Sequence, residues 1–195
     1  MKAYYHARAH EYDDWWLQRG LYAARISPDW PHERDHTFEV VRALTPKRTL
    51  DVACGTGFVT RFLAGEVTGL DQSEAMLEVA REQAPNAEYV QSDGLELPFE
   101  DGSFERVFTS HFYGHLEESE RLRFLAEARR VAPELVVFDA ARHGGEPRAE
   151  QQDRMLNDGT RWTVYKRFFT GEGLLAGLGG GTILHEGRWF VLVVA

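Results

Sequence analysis

The chain has 195 residues, 43% of them hydrophobic, and a formal net charge of −9, which predicts one globular domain with a substantial core rather than a disordered chain. The acidic balance, with no clustered Lys and Arg, argues against a nucleic-acid surface, because neutralising phosphates needs such clusters. One cysteine, Cys54, excludes an internal disulfide, and neither a signal-like apolar start nor a membrane-length apolar run is present, so a cytoplasmic protein acting on a small molecule, as monomer or homodimer, is expected.

Residues 1–45 carry Tyr4, Tyr5, Tyr12, Trp15, Trp16, Tyr22 and Trp30 in a polar, His-rich background without a sustained period. Asp35 to Leu44 reads as a helix with Phe38 and Val41 inward and Pro46 beyond its end. From Thr49 the pattern alternates. Strands are predicted at Thr49–Ala53, Val67–Leu70, Glu88–Gln91, Arg106–Ser110 and Leu135–Phe138. Helices are predicted at Val59–Ala64, Glu74–Ala84 and Glu117–Arg130, the second capped by Ser73 and the third turning Leu122, Leu125 and Ala126 inward. Such alternation implies βαβ units around a parallel sheet with right-handed crossovers. Further on, Arg148–Leu156 reads as a short helix, RWTVYKRFF as an extended linker, and TGEGLLAGLGG as a glycine-weakened helix. The ending TILHEGRWFVLVVA is two apolar runs about Glu186-Gly187, a hairpin signal.

The stretch TLDVACGTGFVTRF carries the chemistry. A strand running into Gly55-Thr56-Gly57 puts glycines at the carboxyl edge of the sheet, where open α/β sheets bind ligands and where free helix N–H groups point. A triphosphate loop needs a Lys after its glycines, and none follows. A dinucleotide fingerprint needs a third Gly, and that position is Thr60. The remaining reading needs an acid ahead of the turn, and Asp51 supplies it.

With Asp51-Val52-Ala53-Cys54-Gly55-Thr56-Gly57, the chain resembles the class I S-adenosylmethionine-dependent methyltransferases, whose first motif is [DE]-x-G-x-G-x-G; Ala53 replaces the first Gly. GLDQSEAML places Asp71 sixteen residues after Gly55, VQSDGLELPFEDGSF follows the third strand, and EARRVAPELVVFDA resembles the family's passage into strand five, with Ala132-Pro133-Glu134 in place of its Gly-Gly turn. The resemblance covers about residues 48–140 well and is nearest the small ubiquinone- and menaquinone-biosynthesis type (methyltransferase types 11 and 25). It implies a three-layer Rossmann-like α/β fold, with a seven-stranded mixed sheet ordered 3-2-1-4-5-7-6 and strand seven antiparallel. It also implies one domain over residues 1–195: an N-terminal helical lid at 1–45, a cofactor-binding core at 46–140, and a linker and hairpin at 141–195, with Arg142–Phe169 assisting the lid.

For the site, the resemblance implies S-adenosylmethionine as methyl donor and S-adenosylhomocysteine as product. Asp51 would serve the amino-acid end, with Ala53, Gly55, Thr56 and Gly57 forming the turn. Asp71 would accept the ribose hydroxyls beside Gln72, and Met76, Ser92, Asp93 and Gly94 would surround adenine, with Asp93 accepting its amino group. Ser110 ends strand four, and Tyr5 and Tyr12 would close over the cofactor. His111 and Tyr113 are the catalytic candidates, as base or as lining near the transferred methyl, since a His near its ordinary pKa can take a proton. Methyl transfer is also an alignment problem that needs no base. His115 resembles a structural His of the family, and Cys54 reads as a small buried filler. No metal is called for. The expected activity is in-line methyl transfer to a small acceptor that no motif names. An NAD-dependent oxidoreductase and a non-catalytic S-adenosylmethionine-binding protein are the alternatives.

Overall fold

Short apolar runs separated by helical stretches bury both their faces by lying side by side in a parallel sheet covered with helices. The computed structural model describes residues 2–25, 27–142, 144 and 148–195. In it β1 (Thr49–Val52), β2 (Val67–Asp71), β3 (Glu88–Gln91), β4 (Arg106–Ser110) and β5 (Glu134–Ala140) form the parallel part. β6 (Ala149–Met155) and β7 (Arg161–Arg167) pair antiparallel in a sheet of their own. β8 (Thr182–Glu186) and β9 (Phe190–Val194) return to the main sheet, whose order is β3-β2-β1-β4-β5-β9-β8 with β9 antiparallel to β5. Counted within the main sheet alone, this is the 3-2-1-4-5-7-6 order expected, with its seventh strand antiparallel.

The strands sort their side chains with period two. Val107, Val137, Val191 and Val193 face one layer, with Phe124, Leu125 and Ala128 of the helix Glu118–Val131 and Leu174 and Leu178 of the helix Gly171–Leu178. Phe108, Val136, Phe138, Phe190 and Leu192 face the other, where Trp16, Trp30, Phe38 and Val41 cover them. The helices are α1 (Lys2–Arg8), α2 (Asp14–Leu17), α3 (Asp29–Arg42), α4 (Glu74–Gln83), α5 (Glu118–Val131) and α6 (Gly171–Leu178). Ser73 caps α4 as expected, its hydroxyl accepting from the Met76 N–H. Glu33 of α3 accepts from the backbone N–H groups of Arg188, Trp189 and Phe190, which fastens the β8–β9 turn to that helix. Among the described residues no helix is long and apolar enough to cross a membrane.

Several expectations are corrected. Arg148–Leu156 is not helical: Ala149–Met155 is a strand, because across β6 it is Glu150, Gln152 and Arg154 that turn to the half-buried face, a period of two. Val59–Ala64 makes only a 3-10 turn at Thr60–Phe62. On α5 Leu122 is exposed, as is Ala126, and the buried face is Arg121, Phe124, Leu125, Ala128 and Val131, because the helix meets the sheet one position away from the stripe read from the sequence. The helix read at Asp35 begins earlier, at Asp29. Part of Arg142–Phe169 lies outside the described residues.

The β6–β7 hairpin is held against the main sheet by one buried ion pair. Asp139 of β5 is fully buried, and its Oδ1 lies 2.5 Å from Nζ of the buried Lys166 on β7. Its Oδ2 accepts from the Gly114 N–H at 2.7 Å. A Cβ on Gly114 would stand 2.8 Å from the Arg167 carbonyl oxygen and from Asp139 Oδ1, so only glycine admits the hairpin this close. Burial works to raise the Asp139 carboxyl, but the Lys166 ammonium outweighs it and holds the group below the usual carboxylate range.

Removing one partner of a buried pair strands the other charge in a low-dielectric interior. Asp139→Ala is therefore expected to cost about 3–5 kcal/mol in urea unfolding. Asp101→Ala, which breaks the exposed pair with Arg130, is expected to cost no more than about 1 kcal/mol.

Candidate functional site

β1 ends at Val52, and the chain turns at Ala53, Gly55 and Gly57, all with positive φ, at +58°, +56° and +73°. The left-handed conformation at Ala53 costs a residue with a Cβ roughly 1–2 kcal/mol, which is why glycine is the common choice at this position. The turn is tied to the next strand end. The Gly55 N–H donates to Asp71 Oδ2 at 3.1 Å, and the Ser73 N–H donates to Oδ1 at 2.8 Å. Burial raises the Asp71 carboxyl above its ordinary range, against the pull of those two donors. Asp51 is buried behind the turn, where Oδ2 accepts from the Thr60 hydroxyl at 2.7 Å and Oδ1 has no partner. Burial pushes its carboxyl up to about 7, Thr60 opposes this, and Asp71 adds to it. Beneath the turn, burial and the two carboxylates push the Cys54 thiol up, so it is not a thiolate.

A narrow cleft of about 50 Å³ opens beside the turn. Of the residues singled out from the sequence, Ala53, Gly55, Asp71, Gln72 and Met76 line one side, and Asp93, Gly94, Ser110 and His111 the other. Tyr5 and Tyr12 close it, with the Tyr12 ring 3.8 Å from where a Cβ on Gly55 would stand. Leu70, Phe112 and His115 complete the lining. Asp93 has a second duty, since its Oδ1 accepts from the Leu95 N–H and shapes the turn. Asp51, Thr56, Gly57 and Ser92 do not reach the cleft wall. Thr56 gives its hydroxyl to Asp13 of the N-terminal segment at 2.6 Å, Gly57 abuts Ala80, and the Ser92 N–H donates to the Asp71 carbonyl.

A second, larger chamber of about 840 Å³ adjoins the cleft, and Tyr5, Tyr12, His111 and His115 line both. These four side chains are the partition. His111 has φ +55° and is almost fully buried. Burial lowers its pKa to about 3, Lys166 adds to this, and Asp139, 3.8 Å from Nδ1, opposes it. The imidazole is therefore neutral near pH 7, and its buried Nε2 has no partner. His115 donates from Nδ1 to the Tyr165 carbonyl at 2.7 Å, anchoring the hairpin. Tyr113 lines neither cavity; its ring packs inside against Phe124 and Phe169.

Four residues escaped the sequence reading. Asp139 carried the same signal as Asp71, an acid ending an apolar strand, and Lys166 carried none within RWTVYKRFF. Arg8 and Arg154, from opposite ends of the chain, meet at the Tyr4 hydroxyl, at 3.0 and 3.5 Å. No local pattern joins them.

The methyltransferase-domain family matches residues 49–134. A demethylmenaquinone methyltransferase of Thermotoga maritima is 38% identical over 103 residues, 50% of this chain and 44% of that relative. The corresponding enzyme of Staphylococcus aureus strain JH9 is 49% identical over 69 residues, 31% of this chain and 29% of its own. The matched region thus spans less than half the length of these curated relatives. A solved complex of DhpI with SAM and HEP superposes with a TM-score of 0.74 at 28% identity, covering 98% of this chain and 94% of that one.

A raised carboxyl stabilises the fold only while protonated. The Asp51 contribution is complete below its ordinary value of 3.8 and is lost as pH rises through about 7. Measured by urea unfolding across that window, Asp51→Asn is expected to gain steadily on the wild type as pH rises; a constant difference would show that the group is not shifted.

Proposed function

We propose that the chain, whose residues 49–134 match the methyltransferase-domain family, is a class I S-adenosylmethionine-dependent methyltransferase that transfers a methyl group to a small acceptor seated in the larger chamber. The observation that carries this reading is the shared wall. A donor-side cleft and a chamber of about 840 Å³, within the roughly 300–1,000 Å³ of small-molecule sites, meet at Tyr5, Tyr12, His111 and His115. S-adenosylmethionine supplies an electrophilic methyl on a sulfonium, whose displacement by an acceptor lone pair leaves the electron pair on sulfur.

The residues fit that cofactor. Among the described residues Asp51 Oδ1 has no partner, and from behind the turn it is suited to an ammonium group reached through water. Asp71 lines the cleft and has acceptor capacity beyond its two backbone donors for a pair of hydroxyls, and Met76 and Asp93 offer an apolar surface and an acceptor for adenine. The N-terminal segment acts as the lid. Tyr12 lies on the glycine turn, and Asp13 takes hydrogen bonds from Thr56 and Gln83. As a lid, this segment opens for entry and closes again to exclude water. Burial and the Lys166 charge disfavour the imidazolium of His111 and make it a weak base, so it orients the acceptor across the partition rather than taking its proton, and the rate comes from in-line alignment. The ternary DhpI neighbour, bound to SAM and HEP, supports this two-compartment reading.

Two measurements test it. S-adenosylhomocysteine is expected to raise the melting temperature and NAD to leave it unchanged; stabilisation by NAD alone sinks the reading. Once an acceptor is in hand, His111→Gln is expected to lower kcat while its pH profile superimposes on the wild type between pH 5 and 8, roughly the range in which an unshifted His would titrate. Loss of an inflection in that range on substitution would instead identify His111 as a base.

A further inference from the structure

The larger chamber contains an uncompensated charge. Arg8 of α1 is buried, and among the described residues its Nη1 and Nη2 reach only the hydroxyls of Tyr4 and Tyr22, at 3.0 and 3.1 Å. Its Nε is buried without a partner. The guanidinium lies over the Tyr12 ring, 4.8 Å from the centroid. Arg154 of β6 approaches from the other side of Tyr4 and otherwise donates to the neutral Gln152 side chain at 2.8 Å. Among the described residues neither guanidinium has a carboxylate within ion-pair distance, whereas Lys166 on the same wall is matched by Asp139. Of the chamber's two carboxylates, Glu150 is engaged by Gln152 and Asp153 by Thr163 on the exposed face of the strand.

Burying an arginine among tyrosines with no counter-ion is costly unless a ligand supplies the charge. A guanidinium with free N–H donors is shaped to take two oxygens of one oxyanion. We propose that Arg8 and Arg154 form an anion-binding subsite, and that the methyl acceptor is a small molecule bearing a carboxylate or phosphate-type oxyanion. This rests on the acceptor-chamber reading above and names the substrate class for it. The anion bridges α1 of the lid to the β6–β7 hairpin, so acceptor binding draws the two covers of the chamber together. The partition of Tyr5, His111 and His115 then places the uncharged, nucleophilic end of the acceptor toward the cofactor cleft.

The test titrates inorganic phosphate and, separately, acetate at constant ionic strength, with and without saturating S-adenosylhomocysteine. Binding is followed by the fluorescence of Trp15 and Trp30, which line the chamber. At least one anion is expected to saturate at millimolar concentration, and which of them does so separates phosphate-type from carboxylate recognition. Arg154→Gln is expected to weaken it about tenfold or more, the scale of one lost charged hydrogen bond, while S-adenosylhomocysteine binds unchanged. Arg8→Lys, which keeps the charge and loses the fork, is expected to weaken it as well. If Arg8→Lys does not fold, Arg154→Gln, half-exposed on its strand, decides alone. Normal S-adenosylhomocysteine binding with no saturable anion, or anion binding indifferent to Arg154→Gln, overturns the subsite. Failure of S-adenosylhomocysteine to bind counts against the methyltransferase reading, and the anion titration on the free protein still reads the subsite independently.

Discussion

Asp139 is the constraint on which the upper half of the molecule depends. Its carboxylate stands at the end of β5 and receives the Lys166 ammonium, the Gly114 N–H and the Ala140 N–H, with His111 alongside. A charge this deeply buried is tolerated only when every acceptor position is used. Meeting that requirement brings the hairpin down over the carboxyl edge of the sheet and sets the loop carrying His111 and His115. The same Lys166 charge then helps keep both histidines neutral. One ion pair thus joins the fold to the chemistry of the partition.

On the other flank, the glycine turn is controlled by two further acids with different surroundings. Asp71 gives its oxygens to backbone donors and so fixes the turn relative to β2. Asp51 keeps one oxygen uncommitted in the interior. A buried acceptor left unpaired is destabilising for the free protein, which is tolerated where a ligand later completes it. Arg8 shows the same economy with the opposite sign.

The N-terminal aromatics divide between two tasks. Trp16 and Trp30 are core, stacked among Phe38, Phe58 and Phe190, and cover one face of the sheet. Tyr5 and Tyr12 belong to the cavities. Trp15 serves both, edge-on to His111 while lining the chamber. The segment thus joins tryptophans anchored in the core to tyrosines on the cleft through the short α1 and α2 and the intervening 3-10 turns.

The strand order followed from the family resemblance; by itself the sequence determined the strands of the main sheet and most of the cleft lining beside the glycine turn. Those features are written in local signals: period-two apolar runs, Gly55 and Gly57 at a strand end, and the acids Asp51, Asp71 and Asp93 at successive strand ends. Tertiary structure alone decided the larger chamber. Glu150, Gln152 and Arg154 alternate too weakly to stand out as a strand, and β6 becomes one by pairing with β7 and by fastening Lys166 to Asp139. Arg8 and Arg154 are brought together across nearly the whole chain by a shared tyrosine hydroxyl. Tyr113, adjacent to the partition in sequence, is turned inward by packing against Phe124 and Phe169. The cleft beside the turn is a motif because one turn and three strand ends build it. The larger chamber is assembled from distant residues, and only packing and buried charge bring them together.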